Sequence, residues 1–245
     1  MAKQSGLGDQ LFIGGYDIGA DINSIGSLST PRQTLPATAI TQSANARIFG
    51  LRDANAEFVS YFDPAAAASH AALKTLPVAD TQLMYLRGTG VGSEAFCMVG
   101  KQIDYNPNRG DDGSLLFTTS AQSNGFGADW ADQLTAGKDT HASGASTTGL
   151  DTAASASFGW QAYLQVFSVG SGTATITIED SADNAAWATL SGGVFTDATA
   201  RTFERLQSSS ATATVRRYIR VTTSGVFTDL VFAVAINKND NTRAL

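Results

Sequence analysis

Two histidines and one cysteine set the first limit on what chemistry this chain can do. His70 lies in an Ala-rich stretch, His141 lies among small polar residues, and Cys97 is alone. No H-x-x-x-H or C-x-x-C spacing occurs, so a zinc site of the usual kind has no ligand set. No G-x-S-x-G elbow marks a nucleophile. The stretch "RGTGVGSE" (87–94) places glycines at 88, 90 and 92, but the third falls one position early for a dinucleotide loop and no G-K-[ST] follows; a connection between strands accounts for it. "EDSADNAAW" (179–187) offers Glu179, Asp180, Asp183 and Asn184, oxygen ligands of the kind Ca²⁺ takes, yet these residues also build tight turns. In "RRYIR", Arg216, Tyr218 and Arg220 share one face of a strand opposite Arg217, Ile219 and Val221, which suits a solvated face laced by salt bridges. "NRGDDG" (108–113) contains a tripeptide known from adhesion ligands, Arg109-Gly110-Asp111. It sits between two strand-like stretches, and Gly and Asp are what a hairpin turn there demands. Nothing in this set proposes a catalyst, and neither an enzyme nor a cofactor is expected.

Composition narrows the class further. The chain has 245 residues, enough for one large or two small domains, and 43% of them are hydrophobic. Only 16% are charged, below the usual share, while Ala, Gly, Ser and Thr abound, which suggests surface that ends against other protein. The formal net charge of −6 argues against wrapping a phosphate backbone. Residues 1–145 carry 9 basic against 14 acidic side chains, and residues 146–245 carry 7 against 8, so the acidity is concentrated in the first part. A lone cysteine leaves no internal disulfide, no apolar core of a signal peptide follows the first residues, and no run approaches a membrane span. The expectation is a soluble chain made in the cytoplasm, with no membrane partner.

The elements that would position these residues are mainly strands. Small polar residues at 135–157 read as a linker, giving a first domain at 1–145, a flexible linker at 146–157 and a second domain at 158–245. "LFIGGYDIG" (11–19) reads as a strand broken at Gly14 and Gly15, and 21–40 as a long extended loop with Pro31 and Pro36. One helix is predicted over 64–76, capped by Asp63 with Pro64 at its first position and Pro77 past its end. Strands are expected at 56–62 and 81–88, and a hairpin from 94–106 and 113–123. The second part alternates in the manner of a small antiparallel sandwich, over 158–170, 172–187, 213–223 and 229–240.

With those residues in view, the chain resembles the major tail (tail tube) proteins of long-tailed, non-contractile, siphovirus-type phages, especially those of actinobacterial hosts. The resemblance rests on "GLGDQLFIGGYDIGADINSIGS", on "RIFGLRDANAEFVSYFDP" leading into "AAAASHAALKTLP", and on "KQIDYNPNRGDDGSLLFTTSAQSNGFG", and it covers most of residues 1–135. It implies a mainly β fold: a sandwich or barrel-like tail-tube domain with one flanking helix, followed by an Ig-like or carbohydrate-binding-module-like β-sandwich decoration. It also implies hexameric rings stacked into a tube that conducts DNA at ejection without specific binding, in a virion tail that also contains tape measure and tail terminator proteins.

Carried onto this chain, the resemblance makes Leu7, Leu11, Phe12, Ile13 and Tyr16 candidates for an inter-ring interface, with a first core strand as the competing reading. Asp53, Glu57, Asp104, Asp111 and Asp112 are candidates for an acidic lumen wall that repels phosphates, against an ordinary solvated surface. Trp160, Tyr163, Trp187 and Tyr218 are a candidate sugar-stacking platform, against core aromatics. The alternative function is a virion decoration or minor tail protein whose second domain binds host-surface glycan.

Overall fold

The structure is a computed structural model that describes residues 5–241. In chain order its elements are β1 (Gln10–Ile13), β2 (Tyr16–Asp17), a 3-10 turn at Gly19–Asp21, β3 (Ile22–Ser29), β4 (Arg32–Pro36), β5 (Arg47–Arg52), β6 (Asn55–Tyr61), α1 (Ser69–Leu73), β7 (Thr81–Leu86), β8 (Glu94–Gln102), β9 (Asn106–Arg109), β10 (Leu115–Ser123), β11 (Asp129–Gln133) and β12 (Asp139–His141). Then follow β13 (Leu150–Asp151), β14 (Trp160–Ser168), β15 (Ser171–Ser181), β16 (Trp187–Val194), β17 (Thr202–Gln207), β18 (Tyr218–Thr228) and β19 (Leu230–Lys238). The expected mainly β class holds.

Strand β8 is the branch point of the large sheet. On one side it pairs along most of its length with β7, which in turn pairs with β1. On the other side its first residues pair with β11 and its last with β10, so the sheet continues in two directions. One branch runs β10–β6–β3; the other runs β11–β19–β14–β17. The layer β1–β7–β8 is therefore covered on both faces, and its strands carry near-continuous apolar runs where a half-solvated strand would alternate. Leu11, Ile13, Leu83, Phe96 and Met98 point into a core shared with Phe58 and Phe117 of β6 and β10. Phe12, Met84, Ala95 and Cys97 point the other way, against Tyr163, Phe167, Ala233 and Ala235 of β14 and β19. A third core fills the C-terminal sandwich, between β14–β19 and the four-stranded sheet β13–β18–β15–β16.

Several expectations need correction. The predicted helix over 64–76 is confined to Ser69–Leu73. Asp63 does not cap it: Asp63 Oδ1 accepts the N–H of Ala65 in a local turn, Ala67 takes φ +73, and the helix begins only after it. The N–H of Ser69 is instead satisfied by Asp21 Oδ2 at 2.9 Å, 48 residues away in sequence. The supposed loop at 21–40 is mostly strand. Strand β3 pairs with β6, but the register slips at two places, between Ile22 and Ser24 and between Ile25 and Ser27, and each bulge erases the two-residue period a sequence reading looks for. The expected hairpin of 94–106 and 113–123 forms around its turn, but its first strand is broken into β8 and β9, which pair with opposite ends of β10.

The stretch read as a linker carries elements of its own. His141 ends β12, which pairs with β19. Residues 146–157 run beside the four-stranded sheet: Ser146 bridges to Thr222, β13 pairs with β18, and Ala156 bridges to Val215. Small polar side chains let this segment lie close against a neighbouring backbone. Gly149 shows the fit, since a Cβ there would come within 2.8 Å of the Trp187 ring.

Candidate assembly surface

Strands β4 and β5 form a two-stranded sheet of their own, joined by residues 37–46 and attached to the body only at its root. This hairpin, the arm, is exposed along both strands. Leu35 and Ile48 face each other on one side and Phe49 lies on the other at 73% exposure, while Leu51, at 79% exposure, falls in the register shift between Arg32 and Thr34. Ile40 at the tip is fully exposed. An isolated two-stranded hairpin is marginal in water, and a run of exposed apolar side chains of this extent is a feature that soluble monomers rarely show. Its charge is as one-sided as its polarity. Residues 22–52 hold Arg32, Arg47 and Arg52 and not one Asp or Glu, in a chain whose formal net charge is −6. The Arg32 guanidinium lies over the Phe49 ring, 5.6 Å from its centroid.

Leu35, Ile48, Phe49 and Leu51 escaped the reading of the sequence, although a signal was present: apolar residues within a carboxylate-free stretch bounded by turn formers. Of the five interface candidates in the chain's first residues, Leu11, Phe12 and Ile13 are buried in β1, so the core-strand alternative accounts for them in the single chain. Tyr16 is half-buried under the Arg201 guanidinium, 4.0 Å above its ring, and only Leu7 stands exposed. Residues 1–4 lie outside the described residues.

The five acidic candidates divide. Glu57 points out of the exposed face of β6, in register between Ser27 of β3 and Ser120 of β10. Asp104 reaches the same Ser120, accepting its N–H at 2.7 Å and its hydroxyl at 2.9 Å. Ser29, Asn55 and Gln122 continue that face as a carpet of small polar groups. Asp53 sits at the root of the arm, where its N–H bonds the carbonyl of Pro31. Asp111 and Asp112 belong to the β9–β10 turn; Asp112 accepts the N–H and hydroxyl of Ser114, which hold its carboxyl below the usual range. The Arg-Gly-Asp tripeptide is thus part of a closed turn, with the Gly110 N–H bonded to the Ser114 carbonyl at 2.7 Å.

The four aromatic candidates do not form one platform. Trp160 and Tyr163 are fully buried on β14. Trp187 and Tyr218 do share the outer face of the four-stranded sheet, both in register with Ser181, but each ring is already covered by a cation. Arg220 lies 4.3 Å over Trp187 and pairs with Glu179; Arg217 lies 4.9 Å over Tyr218 and pairs with Asp151, whose pKa its hydrogen bonds lower to about 2. The third arginine of that stretch, Arg216, clasps Asp180 at 2.6 Å. Asp183 accepts the N–H groups of Ala185 and Ala186, so the acidic stretch at 179–187 serves as turn and salt-bridge partner. The described residues contain no group of three or more His, Cys, Asp or Glu arranged to hold a metal ion.

These features define a β-rich chain with a projecting apolar and basic arm and a small-polar sheet face. No protein-family model matches the sequence, and no curated protein matches it. Among solved structures, the chain is similar to a protein of the tail of an empty gene transfer agent particle with C6 symmetry, at 14% identity, TM-score 0.41, over 52% of this chain and 98% of the other. It is similar to the Dit protein of phage SPP1, described as a hub of the adsorption apparatus, at 8% identity, TM-score 0.36, over 94% and 99%. It is also similar to a protein of the phage p2 baseplate, at 9% identity, TM-score 0.35, over 96% and 99%. Likenesses at this level carry no argument about function.

Proposed function

We propose that this chain is a non-enzymatic structural subunit of a phage tail tube. Six copies close a ring, rings stack through the arm, and the stack is the conduit for DNA at ejection in a long-tailed, non-contractile phage. The observation that supports this best is the arm: exposed apolar side chains on both of its faces, three arginines and no carboxylate, on an otherwise acidic chain. A second copy supplies both what the arm lacks, an apolar cover and negative charge. Head-to-tail contacts of this kind do not close on themselves and so extend into a filament. The sequence resemblance supplies the six-fold ring and the further tail partners. The small-polar face around Glu57 and Asp104 suits a lumen wall, since its fixed carboxylates repel phosphate and the hydroxyl and amide groups between them are uncharged.

Negative-stain electron microscopy of the purified chain, at low and high concentration, tests the reading. Rings or hollow tubes that lengthen with concentration are the expected result. Compact monomers at every concentration would remove self-assembly, and with it the tube.

A further inference from the structure

The arm meets the body at one buried carboxylate. Asp129 opens β11 with its side chain wholly buried. Its Oδ1 accepts a hydrogen bond from Arg52 Nη1 at 3.2 Å, and Arg52 is the last residue of β5, at the root of the arm. Its Oδ2 accepts the hydroxyl of Tyr163 at 2.6 Å, and Tyr163 belongs to β14 of the C-terminal sandwich. From β17 of the same sandwich, Arg205 donates to the Tyr163 hydroxyl at 3.4 Å and stacks 3.9 Å over the ring of Phe126. Arg52 is seated against Gly127, where an added Cβ would stand 2.8 Å from its Nε and 3.0 Å from its Cζ.

Three physical points give this cluster a purpose. The arm has no layer behind it, and only the backbone at its root, where Asp53 N–H bonds Pro31 O, carries the β3–β6 ladder into it, which leaves its direction weakly set. At its root Arg32 and Arg52 are paired across the two strands, and like charges placed opposite each other destabilise a ladder unless one is neutralised. A buried carboxylate in turn demands its partners, because removing one leaves an uncompensated charge in a low-dielectric site. Arg52 is thereby held to Asp129. Burial and the Asp129 charge push the Tyr163 hydroxyl well above the usual phenol range, so it stays a proton donor to the carboxylate.

We infer that Asp129 is a positioning residue for the arm: through Arg52 on one side and Tyr163 on the other, it lets the C-terminal sandwich set the angle at which the arm is presented to a second copy. The sandwich is then part of the assembly machinery. This rests on the reading that the arm joins copies, but the angle can be measured on the single chain.

The experiment is a pulsed electron–electron distance measurement on the full chain, kept dilute. Spin labels go on Gln42→Cys at the arm tip and Ser209→Cys on the sandwich, both exposed, while the buried Cys97 stays unlabelled. Tyr163→Phe removes the hydrogen bond from the sandwich; Gly127→Ala evicts Arg52 without touching the contact between Tyr163 and Asp129. Both should broaden the distance distribution by about twofold or more while the circular dichroism of the body at the measuring temperature is retained; the melting temperature falls in both, since each variant takes a partner from a buried carboxylate. An unchanged width in both variants overturns the inference. Broadening in Gly127→Ala alone also overturns it, because the carboxylate would then hold the arm without the sandwich. Should the wild-type chain form no rings or tubes at any concentration, the tube reading fails, and the distance widths still decide the role of Asp129.

Discussion

Gly172 has φ +80, and a Cβ placed on it would fall 2.0 Å from the carbonyl oxygen of Val226 on the paired strand β18. Gly88 has a similar φ of +72, but nothing lies within 4 Å of where its Cβ would be. The pair separates backbone strain from collision. Gly88→Ala should cost about 1 kcal/mol, from the left-handed backbone alone, while Gly172→Ala should cost about 2–3 kcal/mol and lower the melting temperature by roughly 5–10 °C. Thermal unfolding of the two variants checks this, and equal losses would mean that the strands part freely. His141 makes a prediction about pH. Its Nδ1 is hydrogen-bonded to the Thr223 hydroxyl at 2.8 Å, and burial holds its pKa below the ordinary 6.5 against the opposing pull of Asp139. The folded state favours the neutral ring, whereas the unfolded chain protonates at the ordinary value. Its contribution to stability is therefore complete above pH 6.5 and declines as pH falls through that value toward the folded pKa. Urea midpoints for His141→Asn should show a shallower decline from pH 7 to 5 than wild type; parallel curves would place the acid sensitivity elsewhere.

At the scale of elements, the arm and the short helix show where local pattern stops being informative. The helix signals around Asp63 and Pro64 were genuine local preferences, yet Ala67 and Leu76 both take positive φ and cut the run to one turn and a half. What keeps that turn in place is tertiary: Asp21 on its first N–H, and Leu73 buried among the core strands. The arm is the opposite case, a strand pair whose own sequence reads as loop because its side chains have no core to alternate against. Changing Phe49 and Leu51 together to Asp should leave the fold intact, since neither packs on the body, and should abolish association, because it removes exposed apolar surface and lowers the arm's charge from +3 to +1 in one step. Sedimentation velocity at high concentration, with melting temperature as the control for folding, reads both effects. Filaments of normal length from this variant would show that the arm is not the joint.

On the scale of the whole molecule, the two parts of the chain share one sheet and one core. Gln133 of β11 pairs with Ala235 of β19, and Phe12 meets Phe167 ring edge to face at 4.7 Å. Gln82 and Gln165 exchange hydrogen bonds with the opposite backbones across the same seam, Gln82 Nε2 to Leu164 O and Gln165 Nε2 to Gln82 O. A chain ending at residue 145 would uncover Phe12, Met84 and Leu86 together. It is expected to bind anilinonaphthalene sulfonate strongly and to lose cooperative unfolding, and a compact truncation with a sharp transition would show that the seam is dispensable. The polar face makes its own prediction at this scale. Assembled tubes of the Glu57→Lys, Asp104→Lys double variant should retain double-stranded DNA at low ionic strength and release it as salt rises, while wild-type tubes retain none in a co-sedimentation assay. Equal retention by both would remove this face from the lumen.

The sequence by itself determined the class of the chain and most of its strands. Period-two alternation, turn residues at Gly110 to Gly113 and Asp183 to Asn184, and the poverty of ligating and nucleophilic residues are local facts, and local forces act on them directly. It also carried the acidity of the first part and the resemblance to tail tube proteins. Only the tertiary structure decided which apolar residues are core and which are surface. Leu11 and Leu51 are the same side chain in comparable strands, yet one is buried between two layers and the other stands in solvent, because burial depends on what packs against a strand and not on the strand itself. The same holds for Asp129, an unremarked carboxylate in sequence whose partners come from positions 52 and 163, brought together by strand pairings that no local pattern encodes.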